Sequence, residues 1–458
     1  MNFKRLEIIG LRGFEKQQII ELATPKGTEG SGLTVIVGPN NSGKSTIYEA
    51  FRAISQNQPP SFTEGRRNKK AGDKILIKIT DSAGNSIELK TQTQGGSETI
   101  FERNGIQRVG FFTLPSRRTF NPFFSKASYS REQYIQNSQL ASIRGSQLDQ
   151  FYTRLFSIQA KQDDFNLVLQ KVLGKVPDWY IEQADNGQYY LKFNFGESSH
   201  NSDGIGEGLL SIFTIVDTLY DSKDGDLIFI DEPELSLHPS FQKKLIKLLS
   251  EYSKTRQIII NTHSPYFIDW NSIYNGGKIN RTLKTGLGSQ IKRIKSTTYT
   301  GLKDLLKNFN NPHILGLNAK ELFFLEDNIL LVEGQEDVIF LQRILELEGL
   351  NLSGDFFGWG MGGAPNASRL LNLFRDLGFK KVTVIFDADM KHLIPTLKKA
   401  FPEYQFVHIP ADDIRDKPQI KAKPAKEGLI YQGGKKVKVK FKESISSLVS
   451  EINGYQEK

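Results

Sequence analysis

The chain has 458 residues, of which 38% are hydrophobic and 24% are charged, as is typical of a globular protein. This length exceeds one ordinary hydrophobic core and predicts two or three domains. The absence of cysteine excludes disulfides, thiolate zinc sites and cysteine nucleophiles, so any metal must bind carboxylates or the six histidines. The formal net charge of +9 is compatible with a polyanionic partner.

Neither a membrane span nor an export signal is evident. The sequence contains no run of about eighteen apolar residues of the kind that crosses a bilayer. The first residues, MNFKRLEIIGLRGF, lack the apolar segment of a secretory signal peptide. We therefore expect a cytoplasmic protein with no membrane partner.

Two α/β blocks follow one another along the chain. In the first, strands are predicted at FKRLEIIGLRGF, KILIKITD and SIELKTQ, and again at DLIFIDEPE and QIIINTHSP. Helical spacing between about residues 127 and 175 predicts an inserted helical segment. A polar, glycine-bearing stretch precedes the second block, so we expect one domain over residues 1–315 and another over residues 316–458.

A glycine-rich turn in the first block has the pattern GxxxxGKS. It follows the apolar run LTVI and precedes a helical pattern, which is the context of a phosphate-binding loop. Backbone N–H groups of such a loop surround phosphates, Lys44 can neutralise the terminal phosphate, and the Ser45 hydroxyl can bind magnesium. The alternative is a glycine turn that carries a lysine by chance. The predicted ATP-binding residues here are Gly38, Asn40, Asn41, Ser42, Gly43, Lys44, Ser45 and Thr46.

Two further strands end in side chains that a nucleotide site requires. The strand LIFIDE ends at Asp231, which can hold magnesium, and Glu232, which can position or deprotonate the attacking water. The strand IIINTH ends at His263, which can reach the terminal phosphate. Taken alone, the two acids fit a solvated strand end and the histidine fits a structural role. Together with the phosphate loop, they predict an ATPase site.

The segment NSDGIGEGLLS places Ser202, Gly204 and Gly206 before a helical pattern, which creates a second anion site. The first block therefore resembles the ABC-type ATPases of DNA recombination and repair, whose Walker A loop, signature, Walker B acids and switch histidine occur in this order. The resemblance implies a head-to-head homodimer that holds ATP between Walker A of one copy and the signature of the other. The D-loop aspartate of the family is replaced near His238, and Gln107 and the LPSRR segment are candidates for the Q-loop.

The second block carries a separate group of acids. The apolar strand NILLV is followed by Glu333 and a helical pattern, and the apolar strand VTVIF is followed by Asp387 and Asp389. Residues two apart in a strand point to the same side, and open α/β sheets bind ligands at the carboxyl ends of their strands. Gathered carboxylates repel one another unless a cation binds, which favours magnesium or manganese. The alternative is that each acid is an ordinary polar strand end.

These motifs together resemble a TOPRIM domain, which has a Rossmann-like parallel sheet. The resemblance implies that Glu333 is a catalytic residue and metal ligand, and that Asp387 and Asp389 are a metal-binding pair with catalytic function. It further implies that Asp337, with Glu336 as the alternative, is an additional metal ligand. It also implies another acid and a lysine closer to the C-terminus. The candidates for those two positions are Asp412, Asp413, Asp416 and Lys417.

An ABC-type ATPase followed directly by TOPRIM is the arrangement of the OLD (overcoming lysogenization defect) family, and ELFFLEDNILLVEGQED resembles the junction in that family. Members are nucleases and include effectors of bacterial anti-phage defence. The resemblance implies an ATP-regulated, Mg²⁺- or Mn²⁺-dependent DNA endonuclease or nickase, a homodimer formed through a helical dimerisation insert, and control by a partner defence protein or a reverse transcriptase–RNA complex. The alternatives are an ATP-dependent DNA clamp or scaffold that does not cleave, and another TOPRIM enzyme such as a topoisomerase or primase.

Two basic segments bear on the substrate. In KKVKVKFK, period-two spacing predicts a strand with Lys436, Lys438, Lys440 and Lys442 on one face, either as a DNA contact or as a guard against edge-to-edge aggregation. The segment GRRNKK fits a DNA contact or, as we favour, a solvated loop.

Overall fold

The computed structural model describes residues 2–106, 111–118, 123–131, 133, 151–201, 204, 206–307, 317–325, 327–418 and 424–457. The chain divides into two compact units, Met1–Arg293 and Ile294–Lys458. Across the described ranges, no helix has the length and apolar character needed to cross a membrane.

The first unit contains three sheets and a set of helices. Its described strands are β1 (Phe3–Ile9), β2 (Gln18–Glu21), β3 (Leu33–Val37), β4 (Leu76–Asp81), β5 (Ser86–Thr91), β6 (Thr99–Asn104), β7 (Phe111–Leu114), β8 (Asp178–Gln183), β9 (Tyr189–Phe195), β10 (Ser198–Asn201), β11 (Leu227–Asp231), β12 (Gln257–Asn261), β13 (Lys278–Thr285) and β14 (Gly288–Arg293). Its described helices are α1 (Lys44–Ile54), α2 (Tyr152–Gln159), α3 (Gln162–Leu173), α4 (Glu207–Asp221), α5 (Pro239–Tyr252) and α6 (Trp270–Asn275).

The central sheet of this unit has the order β14-β13-β3-β12-β11-β7, with parallel pairing except between β13 and β14. Strands β3, β11 and β12 are buried along their whole length. Their continuous apolar runs are typical of parallel strands covered on both faces. Because these strands are parallel neighbours, their carboxyl ends meet at one edge, and Asp231 pairs in register with Asn261 there.

A five-stranded antiparallel sheet, ordered β2-β1-β4-β5-β6, packs against α1 and shares a hydrophobic core with the central sheet. On the central-sheet side of that core, Phe51 of α1 lies against Phe229 of β11, with ring centroids 4.9 Å apart. A small antiparallel sheet has the order β10-β9-β8. The resulting core fixes α1, and therefore the turn that precedes it, on the carboxyl ends of the parallel strands.

The helical character predicted for residues 127–175 is confirmed where the structure describes that segment, by α2 and α3. Residues 132 and 134–150 lie outside the described residues. Helix α3 packs against α4 and α5. Phe165 of α3 contacts Phe213 of α4, with ring centroids 5.3 Å apart. These two helices therefore belong to the core of the first unit, and the dimerisation role expected of the insert remains a proposal.

The second unit is built on a parallel sheet ordered β16-β15-β17-β18, as expected for a Rossmann-like domain. Its described strands are β15 (Ile329–Val332), β16 (Asp355–Phe356), β17 (Val382–Phe386), β18 (Gln405–His408), β19 (Asp413–Arg415) and β20 (Gly428–Ile430), the last two forming a separate pair. Its described helices are α7 (Ser296–Lys307), α8 (Leu317–Lys320), α9 (Gln335–Glu348), α10 (Ala367–Leu377), α11 (Ile394–Ala400) and α12 (Lys442–Gln456).

The second unit begins before the boundary expected at residue 316. Helix α7 packs against α10. The Thr298 hydroxyl and the Lys295 N–H donate to Oδ2 of Asp376 at 2.5 and 2.7 Å. Asp376 is buried, so these hydrogen bonds tie the start of α7 to the second unit.

The strand predicted for KKVKVKFK is wrong. Val437 forms a single bridge with Ile430, residues 439–441 form one 3₁₀ turn, and α12 begins at Lys442. Lys438 and Lys440 both contact Glu427, at 3.2 and 2.6 Å, whereas Lys442, the first residue of α12, lies 2.8 Å from Glu348.

The segment GRRNKK is held by contacts within the first unit. Arg66 lies 3.4 Å from Glu49, and Arg67 donates to the Phe62 carbonyl at 3.1 Å. Lys69 and Lys70 pair with Glu64 and Glu15 at 3.3 and 3.5 Å. These contacts fit the solvated loop that we favoured.

Candidate functional site

The first candidate site lies at the carboxyl edge of the central sheet, where a glycine-rich turn joins β3 to α1. Gly38 and Gly43 have φ angles of 143° and 114°, which side chains rarely tolerate. A Cβ at Gly38 would stand 2.2 Å from the Thr282 carbonyl oxygen, so only glycine fits against β13. Gly43 is the N-cap of the eleven-residue helix α1. The turn therefore directs the N-terminus of α1 at the space above the sheet, as a phosphate loop requires.

The side chains of this loop divide into two groups. The Ser42 hydroxyl is buried and lies 2.5 Å from the Thr282 hydroxyl, so it holds the loop on β13. Asn40 and Asn41 are exposed, Ser45 is half-buried in the first turn of α1, and Thr46 is buried. Ser45 is therefore the hydroxyl that remains placed to reach a cation.

Lys44 folds back over the loop in this structure. Its ammonium donates to the carbonyl oxygens of Gly38 and Pro39, both at 2.8 Å. Burial lowers the pKa of Lys44 to about 8, although the nearby acids Asp231 and Glu232 act in the opposite direction. A phosphate would supply the charge partner that the two carbonyls only partly replace.

The predicted Walker B acids stand beside this loop. The Asn261 amide donates to Oδ1 of Asp231 and to the Lys44 carbonyl, both at 2.8 Å, and thereby joins β11, β12 and α1. Burial raises the pKa of Asp231 to about 7. Glu232 follows in the left-handed region, with φ 47°, an uncommon conformation for a residue with a side chain. Its N–H donates to the Asn261 carbonyl at 2.9 Å, which holds the strained turn in place.

His263 faces Glu232, with Nε2 lying 3.7 Å from Oε1. Burial lowers the pKa of His263 to about 4, so the imidazole is neutral near pH 7 and the two side chains do not form an ion pair. Glu234 fixes the loop that carries the histidine, because its carboxylate accepts the His263 N–H at 2.6 Å and the Thr262 hydroxyl at 2.9 Å. Sequence reasoning missed Glu234, although it stands two residues after Glu232.

A second residue missed by sequence reasoning is Arg118, in the LPSRR segment after β7. Its buried guanidinium donates to the backbone carbonyls of Asp231 and Glu232 at 2.8 and 2.9 Å. It also donates to the Pro115 carbonyl and to the Ser211 hydroxyl of α4, both at 2.7 Å. Burial lowers the pKa of Arg118 to about 10, so the group stays charged. Arg118 thus couples the acid-bearing turn to the helix that follows the signature segment.

The remaining predicted ATPase residues are only partly described. Ser202 lies outside the described residues, as does Gln107. Gly204 is exposed, and its N–H donates to the carbonyl of Asn201 at 3.1 Å. His238, near which the resemblance places the D-loop position, caps α5 by accepting the Ser240 N–H at 3.2 Å.

The second candidate site lies at the carboxyl edge of the second unit's parallel sheet. Glu333 follows β15 and Asp387 follows its parallel neighbour β17. The Asp387 N–H donates to Oε1 of Glu333 at 3.0 Å. Glu333, Asp387 and Asp389 each offer a carboxylate oxygen within 4.8 Å of the other two. These three residues, hereafter the acidic triad, are the ones that the sequence predicted would meet.

The triad carries more negative charge than its environment accommodates. Burial, and then the nearby Asp337 and Asp389, raise the pKa of Glu333 to about 7. Burial, and then Asp337 and Glu333, raise the pKa of Asp387 to about 9. Mutual repulsion of this kind is relieved when a cation binds, and an oxygen-only donor set suits Mg²⁺ or Mn²⁺. The residues present therefore fit a divalent cation.

Asp337, the fourth predicted ligand, stands outside the triad. Its Oδ2 accepts the Gly334 N–H at 2.7 Å and so caps the start of α9. Burial raises the pKa of Asp337 to about 6. The structure thus gives Asp337 a helix-capping contact beside the triad, and a direct metal contact remains a proposal.

The C-terminal candidates separate clearly in the structure. Asp413 is only 2% exposed and its Oδ2 lies 2.7 Å from the Lys417 ammonium, whereas its Oδ1 has no hydrogen-bond partner within the described part of the chain. Asp416 pairs with Lys438 at 2.6 Å, and Asp412 is exposed. Among these C-terminal candidates, Asp413 is therefore the buried acid that best fits the additional TOPRIM position.

A lysine that sequence reasoning missed reaches the triad directly. The ammonium of Lys426 lies 2.5 Å from Oδ2 of Asp389 and 4.0 Å from Oδ2 of Asp413. Lys417, the lysine singled out from sequence, instead lies 3.4 Å from Glu336 in addition to its contact with Asp413. The site therefore contains two lysines, of which Lys426 contacts the triad.

Comparisons with known proteins match these two sites to two domain types. A family model described as "AAA ATPase domain" matches residues 1–172, and one described as "AAA domain, putative AbiEii toxin, Type IV TA system" matches residues 108–269. A model described as "Overcoming lysogenization defect protein-like, TOPRIM domain" matches residues 324–389, which include the whole triad. The OLD nuclease of Thermus scotoductus is 25% identical, over 75% of this chain and 74% of that protein. The chain therefore joins an AAA-type ATPase domain to an OLD-like TOPRIM domain.

Three further proteins are similar to parts of this chain. Endonuclease GajA of Bacillus cereus is 27% identical over 34% of this chain and only 26% of its own length. The SMC head domain of Thermotoga maritima matches 64% of this chain and 100% of that chain, with 14% identity and a TM-score of 0.39. An SMC head bound to the C-terminal winged-helix domain of ScpA matches with 15% identity and a TM-score of 0.44, over 67% of this chain and 100% of that chain.

Proposed function

We propose that this chain is an OLD-family nuclease, namely an ATP-regulated, divalent-cation-dependent DNA endonuclease or nickase. The observation that carries the proposal is the acidic triad, whose three carboxylates lie within 4.8 Å of one another in the TOPRIM domain. Two relatives have names that support it, the OLD nuclease of Thermus scotoductus and Endonuclease GajA of Bacillus cereus. The net charge of +9 fits a DNA substrate.

In this proposal Glu333, Asp387 and Asp389 hold one or two Mg²⁺ or Mn²⁺ ions. A bound cation at such a site polarises the phosphodiester and lowers the pKa of water that attacks it. The protein's own part is to present the carboxylates from two rigid strand ends and to supply positive charge from Lys426. Arg415 and Lys417 lie 2.5 and 3.4 Å from Glu336, which holds the β19 segment on α9.

In this proposal the ATPase domain binds ATP and regulates cleavage, and it does not itself act on the phosphodiester. The phosphate loop, Ser45 and Asp231 would hold Mg²⁺–ATP, and Glu232 would orient the attacking water. We propose that two copies pair so that Ser202 and Gly204 of one copy close on the ATP bound to the other. ATP shifts the population of such a dimer through its higher affinity for the paired state.

Because the family includes anti-phage effectors, we further propose a role in bacterial defence, in the cytoplasm. A partner protein or a reverse transcriptase–RNA complex would then control when cleavage begins. Purified chain alone would show basal nicking, and the partner would change the rate without changing the residues that cut.

The test is nicking of supercoiled plasmid by purified protein with Mg²⁺ or Mn²⁺. We expect Glu333→Gln to reduce nicking on the order of 10³-fold, which corresponds to several kcal/mol of transition-state stabilisation. Glu443→Gln, at an exposed acid of α12 in the same unit, is the matched control and should retain activity. Equal nicking by wild type and Glu333→Gln would overturn the proposal. Plasmid binding without nicking by either protein would instead support an ATP-dependent clamp.

Regulation by ATP is tested by a separate variant in the same nicking assay. Lys44→Ala removes the ammonium that the phosphate loop offers to ATP and leaves the triad intact. We expect nicking by wild type to respond to ATP and nicking by Lys44→Ala not to respond. An identical ATP response in both proteins would refute regulation through this loop.

A further inference from the structure

A groove of about 620 Å³ opens beside the triad in the second unit. Lys417, Lys426, Tyr431 and Gln432 line it. Lys426 also contacts Asp389 of the triad at 2.5 Å, so one side chain forms the wall between the groove and the acids. The volume lies within the range of about 300–1,000 Å³ that small-ligand pockets occupy.

Tyr431 gives this groove an aromatic wall. With 53% of its surface exposed, it is the most exposed aromatic residue in the described part of the chain. An exposed ring of this kind on a hydrophilic surface is available for contact with a partner. The Lys438 ammonium lies 5.4 Å from its ring centroid. An exposed aromatic ring next to a positive charge is a common feature of sites on which nucleobases stack, and Tyr431 with Lys438 provides both.

The position of Tyr431 is fixed by the backbone. Ile430 pairs with Val437, and the Gly434 N–H donates to the Tyr431 carbonyl at 2.8 Å, so a tight turn carries the ring. Gly434 has φ 66°, and a Cβ there would lie 3.0 Å from the Phe340 ring of α9. The turn thus rests on the helix that follows Glu333, which limits its motion relative to the triad.

The charges around the groove favour a phosphate backbone. Lys417 and Lys426 are about one-third exposed, and Lys435 and Lys436 stand exposed on the same turn as Tyr431. Two acids also line the groove: Asp416 pairs with Lys438, and Glu427 pairs with Lys438 and Lys440. A strand that enters the groove therefore meets cations along its phosphates and an aromatic ring beside its bases.

We propose that this groove binds an unpaired nucleotide of the DNA strand next to the phosphodiester that the triad cleaves, with its base stacked on Tyr431. The proposal rests on the proposed nuclease function and narrows its substrate to DNA that is single-stranded or locally melted at the cut. A base inside an intact duplex is stacked on both faces and cannot also stack on a side chain. Duplex DNA would have to open locally before it is cut.

The test measures binding without cleavage. Fluorescence anisotropy in EDTA compares a labelled 20-nucleotide oligothymidylate, an abasic chain of the same length and a blunt duplex. We expect Tyr431→Ala to bind oligothymidylate about tenfold more weakly than wild type, and Tyr431→Phe to bind it within about twofold of wild type, because phenylalanine keeps the ring. The matched control is Tyr274→Ala, at an exposed tyrosine on α6 of the first unit, and its affinity should equal that of wild type.

The abasic chain isolates the stacking contribution. Wild type should bind it about tenfold more weakly than oligothymidylate, whereas Tyr431→Ala should bind the two chains equally. The duplex should bind wild type and Tyr431→Ala alike. Equal affinity of wild type and Tyr431→Ala for oligothymidylate would overturn the proposal, as would an equal loss in Tyr274→Ala. The binding assay needs no cleavage. Absence of nicking would therefore count against the nuclease function only, and the binding result would still show whether the groove holds a nucleotide.

Discussion

The ammonium of Lys426 lies 2.5 Å from Oδ2 of Asp389, so a cation of the protein already contacts the most exposed acid of the triad. Burial opposes the charge of Lys426, but its hydrogen bond to Asp389 and the charges of the neighbouring acids raise its pKa overall. With Asp389 engaged as a metal ligand, the Lys426 ammonium would be left to offer its positive charge to a substrate phosphate.

Replacement of Lys426 by methionine should therefore separate metal binding from cleavage. We expect Lys426→Met to bind Mn²⁺ at least as tightly as wild type, because a competing charge is lost. It should cleave plasmid on the order of 10²-fold more slowly, because a preorganised positive charge is lost from the transition state. Manganese titration by electron paramagnetic resonance and plasmid nicking measure the two effects. Lys398→Met, at an exposed lysine on α11, is the control, and unchanged nicking by Lys426→Met would contradict the role.

Arg118 should be essential for the ATPase domain's stability. Arg118→Ala leaves the carbonyls of Asp231 and Glu232 buried without their donors, and we expect it to lower the free energy of unfolding by about 3 kcal/mol or more. Urea denaturation measures this loss. The adjacent Arg117 is exposed, so Arg117→Ala should change the unfolding free energy by less than about 0.5 kcal/mol. Similar stability of the two variants would show that the Arg118 network contributes little.

A buried charge cluster should hold the helical insert on the ATPase core. Arg131 and Arg154 lie 2.6 and 3.4 Å from the buried carboxylate of Asp217, and both also contact Asp221. Asp217→Asn leaves two buried guanidinium groups undercompensated, and we expect a loss of about 3–5 kcal/mol in unfolding free energy.

The control for this cluster is an exposed ion pair of the same unit. Lys171 and Glu251 lie 2.6 Å apart and are both more than 40% exposed, so Glu251→Gln should cost less than about 1 kcal/mol. Thermal or urea unfolding of both variants provides the comparison. A loss in Asp217→Asn no greater than that in Glu251→Gln would refute the importance of burial here.

His263 should make the stability of the first unit depend on pH. Burial lowers its pKa to about 4 from an ordinary value of 6.5. Between these values the unfolded chain binds a proton that the folded chain does not, so His263 lowers the free energy of unfolding as the pH falls. We expect His263→Gln to gain stability relative to wild type when urea midpoints at pH 5 are compared with those at pH 7.5. A difference between the two proteins that stays constant with pH would contradict this assignment.

Much of the site could be predicted because its residues stand at the ends of apolar strands. Glu333 and Asp387 each follow a buried run, and parallel pairing of β15 with β17 brings such positions together. By contrast, Lys426 lies in the polar stretch KPAKEG, where no periodicity marks it, and only the return of the chain through β19 and β20 brings it to Asp389. Burial alone distinguishes Asp413 from Asp412, and burial depends on the folded neighbours.

The wrong strand prediction for KKVKVKFK and the missed role of Arg118 have a similar physical origin. The alternation in KKVKVKFK satisfies the spacing of a strand, but ion pairs of Lys438 and Lys442 with separate acids favour a turn and a helix start instead. Arg118 lies in a segment that the sequence offered only as a Q-loop candidate, since three of its four acceptors come from two distant parts of the chain. Contacts of this kind are set by the tertiary fold.

The most direct measurement is the rate of plasmid nicking by wild type and Asp387→Asn across a Mn²⁺ titration. Asp387 is the buried member of the triad, and asparagine keeps its size while removing its charge. We predict that nicking by wild type rises to saturation with Mn²⁺, and that Asp387→Asn remains at the level seen in EDTA. Saturating nicking at the same rate in both proteins would show that the acidic triad is not where DNA is cut.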